Sequence, residues 1–161
     1  MAEAQYVLAT EPVRAWTRKE FAVSTDRTRL DIDAIHAYLS RSYWSEGIPR
    51  EIVERSIRGS LCFGLYGPAG QIGFARAISD GATFAYLADV FVLELFRGQG
   101  LGTWLLTCIM AHPSLQHLRR WQLLTRDAHG LYRKFGFTAP SKPERHMEIS
   151  HPDIYRGSDI L

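Results

Sequence analysis

The chain has 161 residues, enough for one domain that buries roughly two-thirds of its unfolded surface. Hydrophobic residues make up 46% and charged residues 22%, which is ordinary for a soluble globular protein. The net charge of +2, without a dense Lys/Arg run, predicts no nucleic-acid partner.

The cysteines, the histidines and the N-terminus bound the class of protein further. Cys62 and Cys108 lie inside apolar runs and predict two buried free thiols in a reducing compartment rather than a disulfide. No CxxC or HExxH pattern occurs and the six histidines are scattered, so no metal site is predicted. The first residues lack an apolar core of signal-peptide length, and no run approaches membrane-spanning length. We therefore expect a cytoplasmic protein without a membrane partner.

The first part of the chain predicts an arm, one strand and two helices. Residues 1–16 have no clear period and are expected to form an N-terminal arm with at most a short strand. Alternation over 20–24 predicts the first strand. Apolar residues spaced for one helical face predict a helix over 31–44: Ile32, Ile35, Leu39 and Tyr43. A second helix is predicted over 50–60, ended by Gly59.

From Ser60 the period changes to that of strands. Runs at 60–66 and 71–79, separated by the turn GPAG, predict a hairpin. The turn Asp80-Gly81 then precedes a long apolar run over 83–93, which predicts a fourth strand.

The rest of the chain alternates helices and strands. An apolar stripe starting at Leu101 predicts a helix that closes before Pro113, and a strand follows at 119–125. Residues 127–136 predict a short helix with Asp127 as N-cap and Gly136 as stop, and a last strand is expected near 146–150. This order predicts a single α+β domain over 1–161, with a mixed, mostly antiparallel central sheet flanked by helices.

A glycine-rich turn, RGQGLG at residues 97–102, connects the strand predicted over 83–93 to the helix predicted from Leu101. Bare backbone N–H groups at a helix N-terminus favour a phosphate-bearing ligand. A P-loop is excluded because its second glycine and its lysine fall on Thr103 and Trp104, and the dinucleotide fingerprint also lacks its third glycine at Thr103. A tight strand-to-helix turn that only needs positive φ is the alternative interpretation.

At these residues the sequence resembles the GNAT superfamily of acyl-CoA-dependent N-acetyltransferases. The family signature [QR]xxGx[GA] is found as Arg97, Gly100 and Gly102. A second family element, AxxxYxxxGF, follows at the family's spacing as Ala128, Tyr132, Gly136 and Phe137. The chain departs from the pattern at Glu94, where many members have proline, and at Thr125, where many have asparagine. The resemblance implies a GNAT-type fold.

The resemblance also implies acetyl-CoA as co-substrate and no metal. The pyrophosphate would bind the turn amides at the positive end of the helix. The pantetheine arm would pair with the strand at 89–92, which splays from the strand near 121–125 and opens a V-shaped slot. The implied cofactor-binding residues are Phe91, Val92, Arg97, Gly98, Gln99, Gly100, Leu101, Gly102 and Thr103. The N–H of Phe91 or of Val92 would meet the oxyanion.

Two residues are predicted to be catalytic. Tyr132 falls on the family's general-acid tyrosine, which protonates the departing thiolate. Asp89 falls where many members have an acid facing the acceptor, and is expected to bind the substrate or remove its proton; a purely structural role is the alternative. Glu46 is a second candidate base, and a water chain without a dedicated base is a third.

The function predicted from the sequence is transfer of an acetyl group from acetyl-CoA to a primary amine of a small molecule, by direct attack in a ternary complex. The expected acceptor-binding residues are Tyr43, Trp44, Glu46 and Tyr86, with Phe84 and Asp89 beside them. The alternatives are a non-catalytic module that binds or senses acyl-CoA and an enzyme that acetylates protein lysines or N-termini. If the chain forms a homodimer, the final strand region is the expected contact.

Overall fold

A six-stranded sheet runs through the computed structural model, which describes residues 7–157. Its strands lie side by side in chain order, and each is antiparallel to the next except for the last pair, which is parallel. The strands are β1 Ala15–Arg18, β2 Phe21–Ser24, β3 Leu61–Gly67, β4 Gly70–Ser79, β5 Phe84–Val92 and β6 Arg120–Gln122. The predicted α+β class, with a mixed and mostly antiparallel sheet, is confirmed.

Four α-helices cover the two faces of the sheet. They are α1 Ile32–Leu39, α2 Arg50–Arg58, α3 Leu101–Met110 and α4 His129–Arg133. Successive side chains of a strand point to opposite faces. Phe74 of β4 therefore joins the apolar core under α1 and α2, while Ala75 joins the core under α3 and α4. None of the helices in residues 7–157 is long and apolar enough to cross a membrane.

The N-terminal residues contribute a hairpin to the sheet. At the end of the predicted arm (residues 1–16) the chain enters β1, which pairs antiparallel with β2, the strand expected at 20–24. The two strands are joined by a tight turn in which Lys19 adopts φ +54°. The part of the arm at residues 1–6 lies outside the described residues.

The first helix is shorter than its apolar spacing predicts. It ends at Leu39, so Tyr43 lies in the loop between α1 and α2 (residues 40–49) rather than on the helical face. The reason is local: the Oγ atoms of Ser42 and Ser45 both donate to the Leu39 carbonyl, at 2.7 and 3.0 Å. Serine hydroxyls of this kind compete with the continuing helix for its carbonyls.

The N-cap of α4 lies one residue later than predicted. Ala128 is the N-cap, and its N–H donates to Oγ1 of Thr125 at 3.0 Å, so the expectation that Asp127 caps the helix is wrong. Gly136 ends this region as predicted: its φ is +89°, and the following N–H, of Phe137, donates back to the Tyr132 carbonyl. Glycine adopts this left-handed conformation without a Cβ penalty.

The prediction of a last strand near 146–150 is wrong. These residues form no strand, and Met147 and Ile149 are 97% and 92% exposed. Alternating apolar residues form a stable strand only where one face packs on a core and the backbone finds a partner. Here neither condition is met.

His112, just after α3, is a fully buried histidine. Its Nδ1 accepts the N–H of Ser114 at 3.2 Å, so the ring proton of the neutral form lies on Nε2. Nε2 has no hydrogen-bond partner within the described residues. Trp16 and Phe63 pack around the ring, and burial lowers the pKa of His112 below its ordinary value of 6.5.

We expect the stability of the protein to fall as the pH drops below 6.5. Between the folded and unfolded pKa values of His112 only the unfolded chain binds the proton, so acid favours unfolding over this range. Urea unfolding followed from pH 8 to pH 5 should give a shallower pH slope for His112→Asn, although the variant is less stable at every pH. His146→Asn, at an exposed position, is the matched control and should keep the wild-type slope.

Candidate active site

The residues predicted for cofactor binding meet at a cleft of about 790 Å³. Its walls are the end of β5, the glycine turn, α4 and the α1–α2 loop. The predicted site residues that line it are Tyr43, Trp44, Glu46, Phe91, Val92, Arg97, Gly98, Gly100, Leu101, Gly102, Thr103 and Tyr132. Gln99, Asp89, Tyr86 and Phe84 are not among the lining residues.

The cleft opens where the two parallel strands part. β6 pairs with β5 only over Phe84–Tyr86, whereas β5 continues to Val92. The edge of β5 from residue 87 onward therefore has no strand partner on the β6 side. This is the V-shaped slot predicted from the resemblance.

The backbone of Val92 faces this open edge. The N–H of Leu93 donates to the Ile72 carbonyl on the β4 side, at 2.8 Å. Because antiparallel pairs alternate between bonded and non-bonded positions, the N–H and C=O of Val92 point the other way. Of the two amides predicted to meet the oxyanion, the one exposed to the cleft is that of Val92, and the N–H of Phe91 points toward β4.

The glycine turn presents a continuous run of free amides. Within residues 7–157, no acceptor is found for the N–H groups of Gly98, Gln99, Gly100, Leu101, Gly102 and Thr103. Gly98 and Gly100 have φ of +82° and +77°, which only glycine adopts readily. A Cβ on Gly98 would meet no atom within 4 Å, so the cradle is open on that side. Free amides at the positive end of α3 fit an anionic group such as a pyrophosphate.

Arg97 is held by the protein itself. Its Nε donates to the Val92 carbonyl at 2.9 Å, and its Nη2 donates to the Tyr38 hydroxyl at 2.7 Å. Glu94 lies 4.0 Å away. Arg97 lines the cleft as predicted, but much of its donor capacity serves to join β5 to α1.

Helix α1 and the loop after it are fixed against β5. The ring of Tyr38 stacks on Phe91, with centroids 3.9 Å apart and planes 8° apart. Arg41 forms a two-pronged pair with Glu94, at 2.7 and 3.1 Å, and this pair holds the pKa of Glu94 at about 2. The family departure at Glu94 thus has a local function, since the carboxylate anchors one wall of the cleft.

Tyr43 spans the mouth of the cleft. Its hydroxyl accepts the N–H of Arg126, 83 residues away, at 2.9 Å, and the Arg126 guanidinium lies 3.9 Å over its ring. The ring also meets the edge of Trp44 at 5.0 Å. The α1–α2 loop therefore touches the loop before α4 and encloses the slot from above.

Tyr132 faces the same cleft from α4. Its side chain is buried, and its ring packs edge-on against Phe137 at 5.8 Å. Burial raises the pKa of Tyr132 to about 12, and nearby Tyr43 and Asp127 add to the effect. The hydroxyl therefore keeps its proton at physiological pH, as a general acid requires.

Asp89 lies at an irregularity of β5, where the register with β4 shifts and its φ is +55°. Both carboxylate oxygens are engaged: Oδ1 accepts Nε1 of Trp44 at 3.0 Å and Oδ2 accepts Nε of Arg76 at 2.5 Å. Arg76 in turn donates to Oγ of Ser60 at 3.1 Å. The carboxylate therefore positions Trp44, and its role as a base stays a prediction.

Glu46 and Tyr86 are two further residues predicted on the acceptor side. Glu46 is paired with Arg156 at 2.8 Å, so the C-terminal segment reaches the α1–α2 loop. Burial raises the pKa of Tyr86, and the nearby carboxylates of Asp89 and Glu148 add to this. Tyr86 and Asp89 thus lie close together, and neither is among the residues that line the cleft.

Sequence reasoning missed several lining residues, among them Tyr38, Arg41 and Arg126. Tyr38 was readable as part of a buried helical face. The contacts of Arg41 with Glu94 and of Arg126 with Tyr43 could not be predicted from the sequence, because the partners are 53 and 83 residues apart.

Comparisons with known proteins agree on one family. The model of the acetyltransferase (GNAT) domain matches residues 58–139. A Gibberella zeae protein described as a candidate acetyltransferase is 39% identical, over 74% of this chain and 79% of its own length.

Solved structures give the same result. A crystal structure from Xanthomonas campestris pv. campestris, described as a candidate acetyltransferase of the GNAT family, has a TM-score of 0.83 at 51% identity and covers 85% of this chain and 97% of its own. A more distant Clostridium acetobutylicum acetyltransferase, described as crystallised with acetyl-CoA, shares the fold at 14% identity, with a TM-score of 0.56 over 86% of this chain and 95% of its own.

We expect Asp89→Asn to lower the free energy of unfolding by about 3 kcal/mol, because it leaves the largely buried Arg76 side chain without its counter-charge. Side-chain exposure in this pair is only 16% and 10%. Asparagine tolerates positive φ as aspartate does, so backbone strain stays constant. The measurement is urea unfolding at pH 7.

The matched control is Glu94→Gln, which removes the charge from a pair that is 55% and 50% exposed. It should change the free energy of unfolding by no more than about 0.5 kcal/mol. Equal losses in the two variants would show that Arg76 and Asp89 do not form a structural pair.

Proposed function

Because this chain belongs to the GNAT family of acetyltransferases, we propose that it transfers the acetyl group of acetyl-CoA to a primary amine of a small molecule. The observation that carries the proposal is the run of unbonded amides at residues 98–103, directly beside the open edge of β5. Unbonded amides next to an open strand edge suit a ligand with phosphates at one end and an extended, amide-containing arm. Acetyl-CoA has both.

The residues present fit that ligand. The turn amides and the positive end of α3 would hold the pyrophosphate, and the absence of a Cβ at Gly98 and Gly100 lets the phosphates approach the backbone. The free edge of β5 would pair with the arm, as an added strand does. When bound, acetyl-CoA supplies a reactive thioester.

Two groups of the chain would then act on the reaction. The N–H of Val92, which faces the open edge, would donate to the developing oxyanion. Tyr132 would hold a proton at its hydroxyl and give it to the departing thiolate. The amine must lose a proton before it attacks, and Glu46, Asp89 or ordered water are the candidates to take it.

The mouth of the cleft suits an amine with an apolar or cationic body. Tyr43 and Trp44 are 44% and 40% exposed, and Asp89 and Glu46 lie beside them. Exposed aromatic faces attract a cation, whereas the carboxylates of Asp89 and Glu46 are already paired with Arg76 and Arg156. The contact between the Tyr43 hydroxyl and the backbone of Arg126 narrows this entrance, which favours a small acceptor over a protein tail.

We expect Gly100→Val to abolish acetyl-CoA binding, because a branched side chain at φ +77° would strain the turn and project into the phosphate cradle. Thermal unfolding with near-millimolar acetyl-CoA should raise the Tm of the wild type and leave that of the variant unchanged.

Gly81→Val is the matched control, since Gly81 has φ +72° in the β4–β5 turn, at the opposite end of β5 from the glycine turn. It should lose at least as much stability, because a Cβ at Gly81 would also lie 3.2 Å from Cδ2 of Leu8, and it should keep the acetyl-CoA shift. A wild type that shows no shift with acetyl-CoA or free CoA would count against the proposed function.

We expect Tyr132→Phe to bind acetyl-CoA normally and to turn over about 100-fold more slowly, because the phenol proton is lost while the ring remains. Turnover is measured as CoA thiol release across a panel of primary amines. Phe135→Leu, on a neighbouring partly buried ring, serves as the packing control.

Normal turnover in Tyr132→Phe would remove this residue as the acid. If the wild type binds acetyl-CoA but releases no CoA with any amine or with lysine peptides, the chain is a binding module. Release with peptides alone would identify a protein acetyltransferase.

A further inference from the structure

An arginine from the N-terminal hairpin lies beside the glycine turn. A methyl group placed on Gly100 would be 3.8 Å from Nη1 and 4.0 Å from Nη2 of Arg18. Both terminal nitrogens of the guanidinium are thus presented together at the start of α3. The side chain is exposed, so it is free to meet a ligand there.

Among the residues that the structure describes, Arg18 has no carboxylate partner. Among the ion pairs found in residues 7–157, none involves Arg18, and its guanidinium makes no hydrogen bond there. Arg18 lies beside the glycine turn and is not among the residues that line the cleft, whereas the arginines that do line it are committed: Arg97 to Val92 and Tyr38, Arg41 to Glu94, and Arg126 to Tyr43. Positive charge next to free amides raises the attraction for an anion further.

The position of Arg18 is set by the fold. It closes β1, opposite Phe21 of β2, and Phe21 is anchored in the core. β1 runs beside α3: Trp16 contacts His112 near the helix C-terminus, while Arg18 reaches Gly100 at its N-terminus. The hairpin also lies outside residues 58–139, which match the family model.

We propose that Arg18 binds a phosphate of the acyl-CoA substrate and so completes the phosphate site from outside the glycine turn. This inference rests on the proposed function, because it takes acetyl-CoA as the ligand of the cleft. The planar guanidinium can engage phosphate oxygens with two parallel N–H groups, which a lysine cannot do. The phosphate is either that of the pyrophosphate or the 3′-phosphate of the ribose.

The test compares three acetyl thioesters in wild type and Arg18→Gln: acetyl-CoA, acetyl-dephospho-CoA, which lacks the 3′-phosphate, and S-acetyl-pantetheine, which lacks the nucleotide. We expect Arg18→Gln to raise the KM for acetyl-CoA about 10-fold with little change in kcat, since a charge-assisted contact to phosphate is lost. With S-acetyl-pantetheine the two proteins should be equal. Kd values from calorimetry with the same ligands report binding without turnover.

Acetyl-dephospho-CoA shows which phosphate Arg18 contacts. If the 10-fold difference persists with acetyl-dephospho-CoA, Arg18 contacts the pyrophosphate; if it disappears, Arg18 contacts the 3′-phosphate. The salt dependence of Kd should also be weaker in Arg18→Gln, because one screened charge interaction is gone.

Arg14→Gln is the matched control. Arg14 precedes the same strand, is exposed, and lies at the other end of α3, where its charge acts on His112. It should leave all three ligands unaffected, and Arg18→Lys should recover only part of the loss.

Equal KM and Kd for acetyl-CoA in wild type and Arg18→Gln would overturn the inference and leave the proposed function intact. A difference that persists with S-acetyl-pantetheine would also overturn it, because the effect would then be structural. A wild type that binds none of the three ligands would instead overturn the proposed function.

Discussion

The unpaired edge of β5 is the constraint on which the site depends. A strand in the middle of a sheet normally bonds on both sides, and exposed N–H and C=O groups must find partners in water, ligand or protein. Here β6 ends at Gln122, so the far half of β5 has no strand partner on that side, where the Val92 carbonyl accepts Nε of Arg97. The same strand then leads into the glycine turn, so two sets of backbone groups without a protein partner follow one another along the chain: the edge of β5 and the amides of the turn, which in the proposed function hold the arm and the pyrophosphate.

Long-range polar contacts, rather than apolar packing alone, hold the walls of the cleft in place. The α1–α2 loop is joined to β5 through Glu94 and Asp89, and to the loop before α4 through Arg126. The exposed pair with Glu94 contributes little stability, whereas the shielded pair between Arg76 and Asp89 is costly to break. Asp89 therefore joins the sheet to Trp44 at the mouth of the cleft, in addition to any part it has in catalysis.

Local patterns in the sequence predicted most of the strands and the glycine turn, because each depends on the spacing of nearby residues, and the family resemblance singled out Tyr132. The same patterns failed where a competing interaction intervened. The apolar stripe ending at Tyr43 predicted a longer helix, but serine hydroxyls end α1 at Leu39. Alternation at 146–150 predicted a strand for which the fold offers no partner. The place of Arg18 could not be predicted, because only the tertiary fold brings residue 18 beside residue 100.

The sheet ends on both sides in a short strand that carries arginine. β1 has four residues and closes with Arg18, and β6 has three residues and begins with Arg120. Short, charged edge strands offer few backbone hydrogen bonds to a neighbouring molecule and repel an identical edge. The ends of this sheet are therefore poorly suited to pairing between copies. Short strands thus have two effects in this sheet. The shortness of β6 leaves part of β5 without a strand partner, and the shortness of β1 and β6 limits aggregation through the outer edges.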